Sequence, residues 1–313
     1  MRIIHRVTEC LPNSKTVARL LKPVWSGIYI FDGKYVRVFD QWSDIAKSGK
    51  VQTKRHPGEG VGDSERIMPR HWSAWLCGID HGTGDLPHYA MASEETKIDL
   101  VLHFQGLQEI EYPLNVLVSD GNPDILAAAR KVFGESFIYQ RCTKHFIDGL
   151  LRLVAQEKNV EQATNTEKLI RLIQSVVTAP DLETAGRRLT VLPHMVQKSR
   201  IQKHIVKLFH LHKDALTAHI QYPNLHIPLT SNEIENLFRQ VNLRLKILNQ
   251  FRHWKNAENY FKAWALLRRF TPFTDSRGDR KVRNGKAPLT LAGVDLTHVD
   301  MFSFGSKSPM KKI

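Results

Sequence analysis

Residues 114–133 read LNVLVSDGNPDILAAARKVF, and this stretch decides the fold class. Residues 114–118 are a short, continuous apolar run ending in Ser119 and Asp120, the pattern of a strand buried on both faces. Asn122 and Pro123 then stand as cap and first-turn residue of a helix reaching Phe133. A buried strand feeding directly into a helix is the building unit of an α/β sheet. Downstream, residues 137–140 give the next strand and 145–154 the next helix. Upstream, residues 94–110 form a helix with Ile98, Val101, Leu102 and Leu107 as its apolar positions. Before it, WSAWLCGI at 72–79 is a strand, and the turn DHGTGD at 80–85 returns the chain into 87–92. GIYIFDGKYVRVF at 27–39 makes two β-rich runs around Asp32 and Gly33, a hairpin signal. The order βββαβαβα predicts a mixed sheet with helices packed on it.

Beyond this core the chain reads differently. Residues 12–21 (PNSKTVARLL) predict one short helix, either a plain N-terminal helix or the last helix of a DNA-binding module. Residues 40–70 are polar and Gly-rich and read as a mobile loop. Residues 151–228 contain no convincing strand, while Leu169, Ile170, Ile173 and Val176, then Ile201, Ile205, Leu208 and Phe209, recur at helical spacing. A long helix follows from Thr230 with Ile234, Leu237, Phe238, Val241, Leu245 and Leu248 as its core stripe. Another over 254–270 turns Trp254, Phe261, Trp264 and Leu267 inward, most simply as core. The tail beyond Thr271 reads as flexible and basic.

The 313 residues carry 45 Lys and Arg against 31 Asp and Glu, a formal charge of +14, with an isoelectric point near 9.7. Residues 1–150 hold 18 basic and 18 acidic side chains, so the whole excess, 27 against 13, lies in residues 151–313. An excess of that size points to a polyanion, nucleic acid or an anionic membrane, with solubility as the plainer alternative. Hydrophobic content of 42% and charged content of 24% exclude wholesale disorder. No apolar run reaches the roughly eighteen residues of a membrane helix, and the N-terminus lacks a signal-peptide pattern. A cytoplasmic, nucleoid-associated protein is expected. Cys10, Cys77 and Cys142 are too few for a disulfide framework or a four-cysteine zinc site.

Within the basic half, Lys198, Arg200, Lys203, Lys207 and Lys213 line one helix with His204, His210 and His212 interleaved. This is a phosphate-backbone candidate that a solvated helix face would also resemble. Glu235, Arg239, Asn242 and Lys246 recur at spacings of four, three and four on the polar face of the 230–248 helix.

Asp32 closes the first β-run and Asp120 the buried strand, and carboxyl ends of strands in open α/β sheets commonly hold ligands. Asp32 with Gly33 also fits a plain turn, and Asp120 a plain loop start. Glu235 adds a third carboxylate on a helix whose inward stripe would pack against the sheet. Clustered carboxylates repel unless divalent cations neutralise them, so the fitting occupant is Mg²⁺ or Mn²⁺. Two such ions, roughly 3.5–4 Å apart, clamp the attacking and leaving oxygens of a displacement at phosphorus.

FDGKYV at 31–36, VSDG at 118–121, the CTKH pair Cys142 and His145, and TSNEIENLFRQVNLRLK at 230–246 together resemble the DDE transposases of the Mutator-like superfamily. The resemblance covers about residues 27–265, with 88 and then 115 positions between successive acids. It implies a ribonuclease H-like mixed sheet flanked by helices and interrupted by an all-helical insertion. The implied parts are an N-terminal helix at 1–26, plain or the remnant of a DNA-binding region, a catalytic core at 27–150, the insertion at 151–228, a second core part at 229–270 and a basic tail at 271–313. It implies Asp32, Asp120 and Glu235 as catalytic acids holding two Mg²⁺ or Mn²⁺ ions. Glu233 is a weaker rival, because two residues along a helix turn a side chain roughly 160° away.

Cys142 and His145 supply two zinc ligands with no second pair nearby, so a structural or site-supporting role is expected, with His145 near the scissile phosphate. Double-stranded DNA is the implied partner, both transposon ends and target, bound by Lys198, Arg200, Lys203, Lys207, Arg239 and Lys246. A homo-oligomer on DNA and no membrane are implied. Family members usually carry a substantial N-terminal DNA-binding region, whereas about 26 residues precede the first strand here. End recognition would then fall to the insertion and tail, to another protein, or to coding sequence upstream. The rival readings are a domesticated or defective relative that binds DNA without cutting it, and a ribonuclease H-like nuclease without strand transfer.

Overall fold

The structure, a computed structural model, describes residues 11–39, 70–157, 159–196, 199–248, 251 and 253–301. In chain order the elements are α1 (Ser14–Leu21), β1 (Ile28–Phe39), β2 (Arg70–Asp80), β3 (Tyr89–Ala92), α2 (Lys97–Glu109), β4 (Val116–Ser119), α3 (Pro123–Phe133), β5 (Ile138–Arg141) and α4 (Thr143–Val154). There follow α5 (Val160–Val177), α6 (Leu182–Leu189), α7 (Leu192–Met195), α8 (Arg200–Leu216), α9 (Ala218–Gln221) and a 3-10 turn at Pro223–Leu225. Then come α10 (Asn232–Leu248), α11 (Trp254–Phe270), a 3-10 turn at Gly278–Arg283 and α12 (Pro288–Leu291). The strands form one five-stranded sheet in the order β3-β2-β1-β4-β5. β1 pairs with β4 and β4 with β5 in parallel, while β2 and β3 are antiparallel. The fold is therefore α/β with a mixed sheet.

By contacts the chain divides into two compact units. One comprises Gly27–Asp32 and Pro113–Glu235. Its β4 is buried at every position, as the continuous apolar run requires. Asn122 caps α3 by accepting from the Asp124 N–H, with Pro123 in the first turn. The all-helical block has its own core, in which Leu169, Ile170, Ile173 and Val176 of α5 meet Ile205 and Phe209 of α8. Gln140 ties β5 to the end of that block, donating to the Leu216 carbonyl and accepting from the His219 N–H.

The other unit comprises Met1–Ser26, Gly33–Tyr112 and Asn236–Ile313. Trp75 of β2 is fully buried, stacked on Phe261 at 4.5 Å and edge-on to Trp264 at 5.6 Å. Two acids of the 80–85 turn are also fully buried. Asp85 accepts from Arg269 Nε and Nη2 at 2.8 and 2.7 Å and from Trp25 Nε1 at 2.9 Å. Asp80 accepts from the Ser26 amide and hydroxyl, the Tyr112 hydroxyl, and the Thr83 amide and hydroxyl.

Several expectations are corrected. There is no hairpin at Asp32 and Gly33, because β1 runs unbroken through both. Gly33 is not in a positive-φ turn conformation; a Cβ there would collide with the Glu95 carboxylate, so close approach explains the glycine. Helix α2 buries Leu100, His103, Phe104 and Leu107, while Ile98 and Leu102 point outward. The buried positions recur at the three- and four-residue spacing of one helix face, which the more conspicuous aliphatic pair does not share. Leu267, expected inward on α11, is 45% exposed. The tail is not free over 271–301: Leu289 and Val294 pack with Leu11, Val17 and Leu266. Residues 40–69, Cys10 and Lys198 lie outside the described residues. Among the described residues no helix is long and apolar enough to cross a membrane.

Candidate active site

In the parallel part of the sheet Ile30 is level with Val118, and Val118 with Gln140. Two residues beyond Ile30, where the pairing with β4 has ended, Asp32 lies inside β1, which continues to Phe39, while Asp120 and Cys142 follow directly on the last residues of β4 and β5. The Cys142 N–H donates to the Ser119 carbonyl at 2.7 Å, so the β4–β5 ladder continues just past the last residues of those two strands.

Asp120 is half-buried, and its Oδ1 accepts from the Asn122 N–H at 2.9 Å. Gly121 has φ +99°, and a Cβ there would run into the Arg141 guanidinium. Arg141 lies over the Phe146 ring at 5.1 Å. Burial lowers its pKa, against the opposing charges of Tyr139, Asp120 and Cys142.

Cys142 and Thr143 hold the entry to α10. The Thr143 N–H and hydroxyl both donate to the Leu229 carbonyl, and the Ser231 N–H and hydroxyl both approach Cys142 Sγ at 3.4 Å. Ser231 Oγ also lies 3.3 Å from His145 Nδ1 and 3.3 Å from Glu235 Oε1. One hydroxyl carries one proton, so Ser231 donates to one of these neighbours at a time. Glu235 completes the cluster: its Oε2 accepts from Lys144 Nζ at 2.8 Å, and its Oε1 is 3.9 Å from His145 Nε2.

The charges are coupled. Burial raises the Glu235 pKa, but the Lys144 hydrogen bond and charge, with help from His145 and Ser231, hold the carboxyl below its usual range. The hydrogen bond with Cys142 pushes His145 up to about 8, and the charges of Cys142, Glu235 and Asp32 add to it. Burial opposes a Cys142 thiolate, yet hydrogen bonds from His145 and Ser231 bring its pKa down overall.

Asp32, Asp120, Cys142, His145 and Glu235 thus fall in one unit, and among them Cys142, His145 and Glu235 bring their donor atoms within 4.8 Å of one another. Arg200, Lys203 and Lys207 are exposed along α8 of the same unit, opposite its buried Gln202, Ile205 and Phe209. Arg239 and Lys246 belong to the other unit, where with Lys34, Tyr35 and Arg37 they line a groove of about 610 Å³. Sequence reasoning passes over Arg141, Lys144 and Ser231. Ser231 stands one helical turn before Glu235, and Lys144 lies inside CTKH; those positions are the signal that was there to use.

Carboxylates such as those of Asp32, Asp120 and Glu235 are donors that Mg²⁺ and Mn²⁺ accept, whereas the described residues whose ligand atoms lie within 4.8 Å of one another are Cys142, His145 and Glu235. A search of curated proteins finds no match to the chain. The model of the Mutator family of transposases matches residues 97–267, a span that includes Asp120, Cys142, His145 and Glu235 and leaves Asp32 upstream. That match covers more than half of the sequence, and the chain belongs to the Mutator family of transposases.

Proposed function

We propose that the protein is a DDE transposase in which Asp32, Asp120 and Glu235 hold two Mg²⁺ or Mn²⁺ ions, cleaving at element ends and joining the freed 3′-hydroxyl to target DNA. One observation supports the reading: Asp32, two residues past the last β1–β4 pair, and Asp120, directly after β4, belong to the same unit as Glu235, and the charges of Glu235 and Asp32 both raise the His145 pKa. The sheet order β3-β2-β1-β4-β5 supports a ribonuclease H-like core interrupted by the helical block.

Bound ions would supply an activated nucleophile and neutralise charge at phosphorus. The chain's own residues do the rest. Asp32 presents a carboxylate from within β1 and Asp120 one from just after β4, and the Ser231 and Cys142 contacts fix the turn that carries Glu235. Lys144 keeps Glu235 ionised. Arg141, beside Asp120, offers a guanidinium to a phosphate oxygen. Positioning and charge compensation are what phosphoryl transfer chiefly asks of a protein. Exposed Arg200, Lys203 and Lys207, and Arg239 and Lys246, serve the DNA backbone, and synapsis of two ends calls for at least two copies.

The test uses duplexes cut from the ends of the element that carries the gene. Wild type is expected to nick them with Mg²⁺ or Mn²⁺ and to join a precut end to plasmid, while Asp120→Ala does neither but binds DNA with the same salt dependence. Equal inertness of both proteins, with binding retained, would turn the reading to a DNA-binding relative without chemistry. Nicking without joining would leave a nuclease. Binding alone reads the backbone contacts: Lys203→Ala should lower the salt slope by about one without changing sequence preference.

A further inference from the structure

Two ligands from CTKH make no zinc site, but the structure adds a third. Cys142, His145 and Glu235 each present a donor atom, and these atoms all lie within 4.8 Å of one another. The geometry points to a thiophilic divalent-cation site, zinc by its donor set, formed by Cys142 Sγ, one imidazole nitrogen of His145 and Glu235 Oε1, and overlapping the catalytic carboxylate.

Three features favour it. Zn²⁺ takes Cys, His and carboxylate ligands at about 2.0–2.3 Å, and tetrahedral bonds of that length put donors roughly 3.3–3.8 Å apart. The His145 Nε2 to Glu235 Oε1 separation is already 3.9 Å, so small side-chain adjustments close the site. A thiolate and a carboxylate bring two negative charges to the ion, the second shared with Lys144. Lys144 occupies Oε2 and leaves Oε1 turned toward Ser231 and His145, so the ion does not have to displace the ammonium. Three protein ligands leave a fourth position for water. Mg²⁺ and Mn²⁺ prefer oxygen, so the thiolate separates the two metal classes.

The consequence rests on the catalytic role proposed for Glu235: an ion held by Cys142 and His145 takes that carboxylate away from the catalytic pair. Zinc would then act as a brake on the magnesium-driven reaction.

The binding test needs no DNA and no turnover. The full chain is titrated with Co²⁺, a spectroscopic stand-in for zinc, followed by Zn²⁺. One equivalent of Co²⁺ is expected to give a thiolate-to-cobalt band in the near ultraviolet with intense visible bands of four-coordination, and Zn²⁺ to abolish both. Cys142→Ser should remove the thiolate band, and Glu235→Gln should keep it while weakening Co²⁺ at least about ten-fold, the floor set by losses of mere outer-shell partners. No thiolate band in the wild type overturns the proposal without recourse to any variant. So does a band that survives in Cys142→Ser, which would assign it to another cysteine, or an affinity unchanged in Glu235→Gln. Zinc added to Mg²⁺-driven nicking is expected to inhibit the wild type; undiminished nicking at saturating zinc overturns the brake. A chain that binds Co²⁺ as described yet never nicks DNA would sink the transposase chemistry and leave the site standing.

Discussion

The two units each hold a cluster of acids, and the clusters are built on opposite terms. Asp80 and Asp85 are fully buried, and their oxygens accept from Ser26, Thr83 and Tyr112, or from Trp25 and Arg269. Asp32, Asp120 and Glu235 are half-buried and belong to one unit, Asp32 within β1, Asp120 directly after β4 and Glu235 in the first turn of α10. A carboxylate whose lone pairs are filled by fixed donors is finished as a ligand. One that is only half-buried keeps contact with solvent. Burial together with a full set of fixed donors separates the structural pair from the three acids proposed for chemistry.

The sharpest way to break this contrast is to exchange the expected phenotypes. Asp120→Ala and Glu235→Gln should each cut DNA nicking by at least about a thousand-fold, with a melting temperature unchanged within a few degrees. If Asp120→Ala unfolds the protein instead, the open acids are structural after all. Asp85→Ala strands the Arg269 guanidinium, 1% exposed, and should cost about 3–5 kcal/mol in chemical denaturation. Asp80→Asn turns an amide toward donors and should cost roughly 1–3 kcal/mol by the same measurement, leaving residual activity in proportion to folded protein.

The smallest effect is a titration. His145 should show an NMR midpoint near 8 that moves back toward 6.5 in Cys142→Ser, since the Cys142 hydrogen bond is the main cause of its rise. A folded pKa above the unfolded one stabilises the fold fully below pH 6.5, and that contribution fades as pH climbs through 8. The ring is partly exposed, so solvent screening limits the effect to at most about 1 kcal/mol. A pH-melting profile that His145→Ala leaves unchanged would separate the imidazole from the cluster.

How far these differences could be read from the letters depends on range. The β4 strand, its cap at Asn122 and the helix after it are legible because every signal lies within a few residues. Asp32 with Gly33 misleads for the same reason: locally the pair spells a turn, whereas β1 runs on through both to Phe39 and Glu95, about sixty residues away in the chain, takes the space beside Gly33. The acids of the 80–85 turn look like loop chemistry until Arg269 arrives from α11. At the candidate site the residues were legible as types, whereas the contacts of Cys142, Lys144 and His145 with the turn of Ser231 and Glu235 span 86 to 91 positions and have no local signature.

The φ of +99° at Gly121 has a bearing on how the sequence drifts over time. Any replacement there meets a backbone conformation that L-residues resist and then the guanidinium of Arg141. The dipeptide Asp120–Gly121 is thus half chemistry and half geometry: a descendant that gave up catalysis could release the aspartate and still be obliged to retain the glycine.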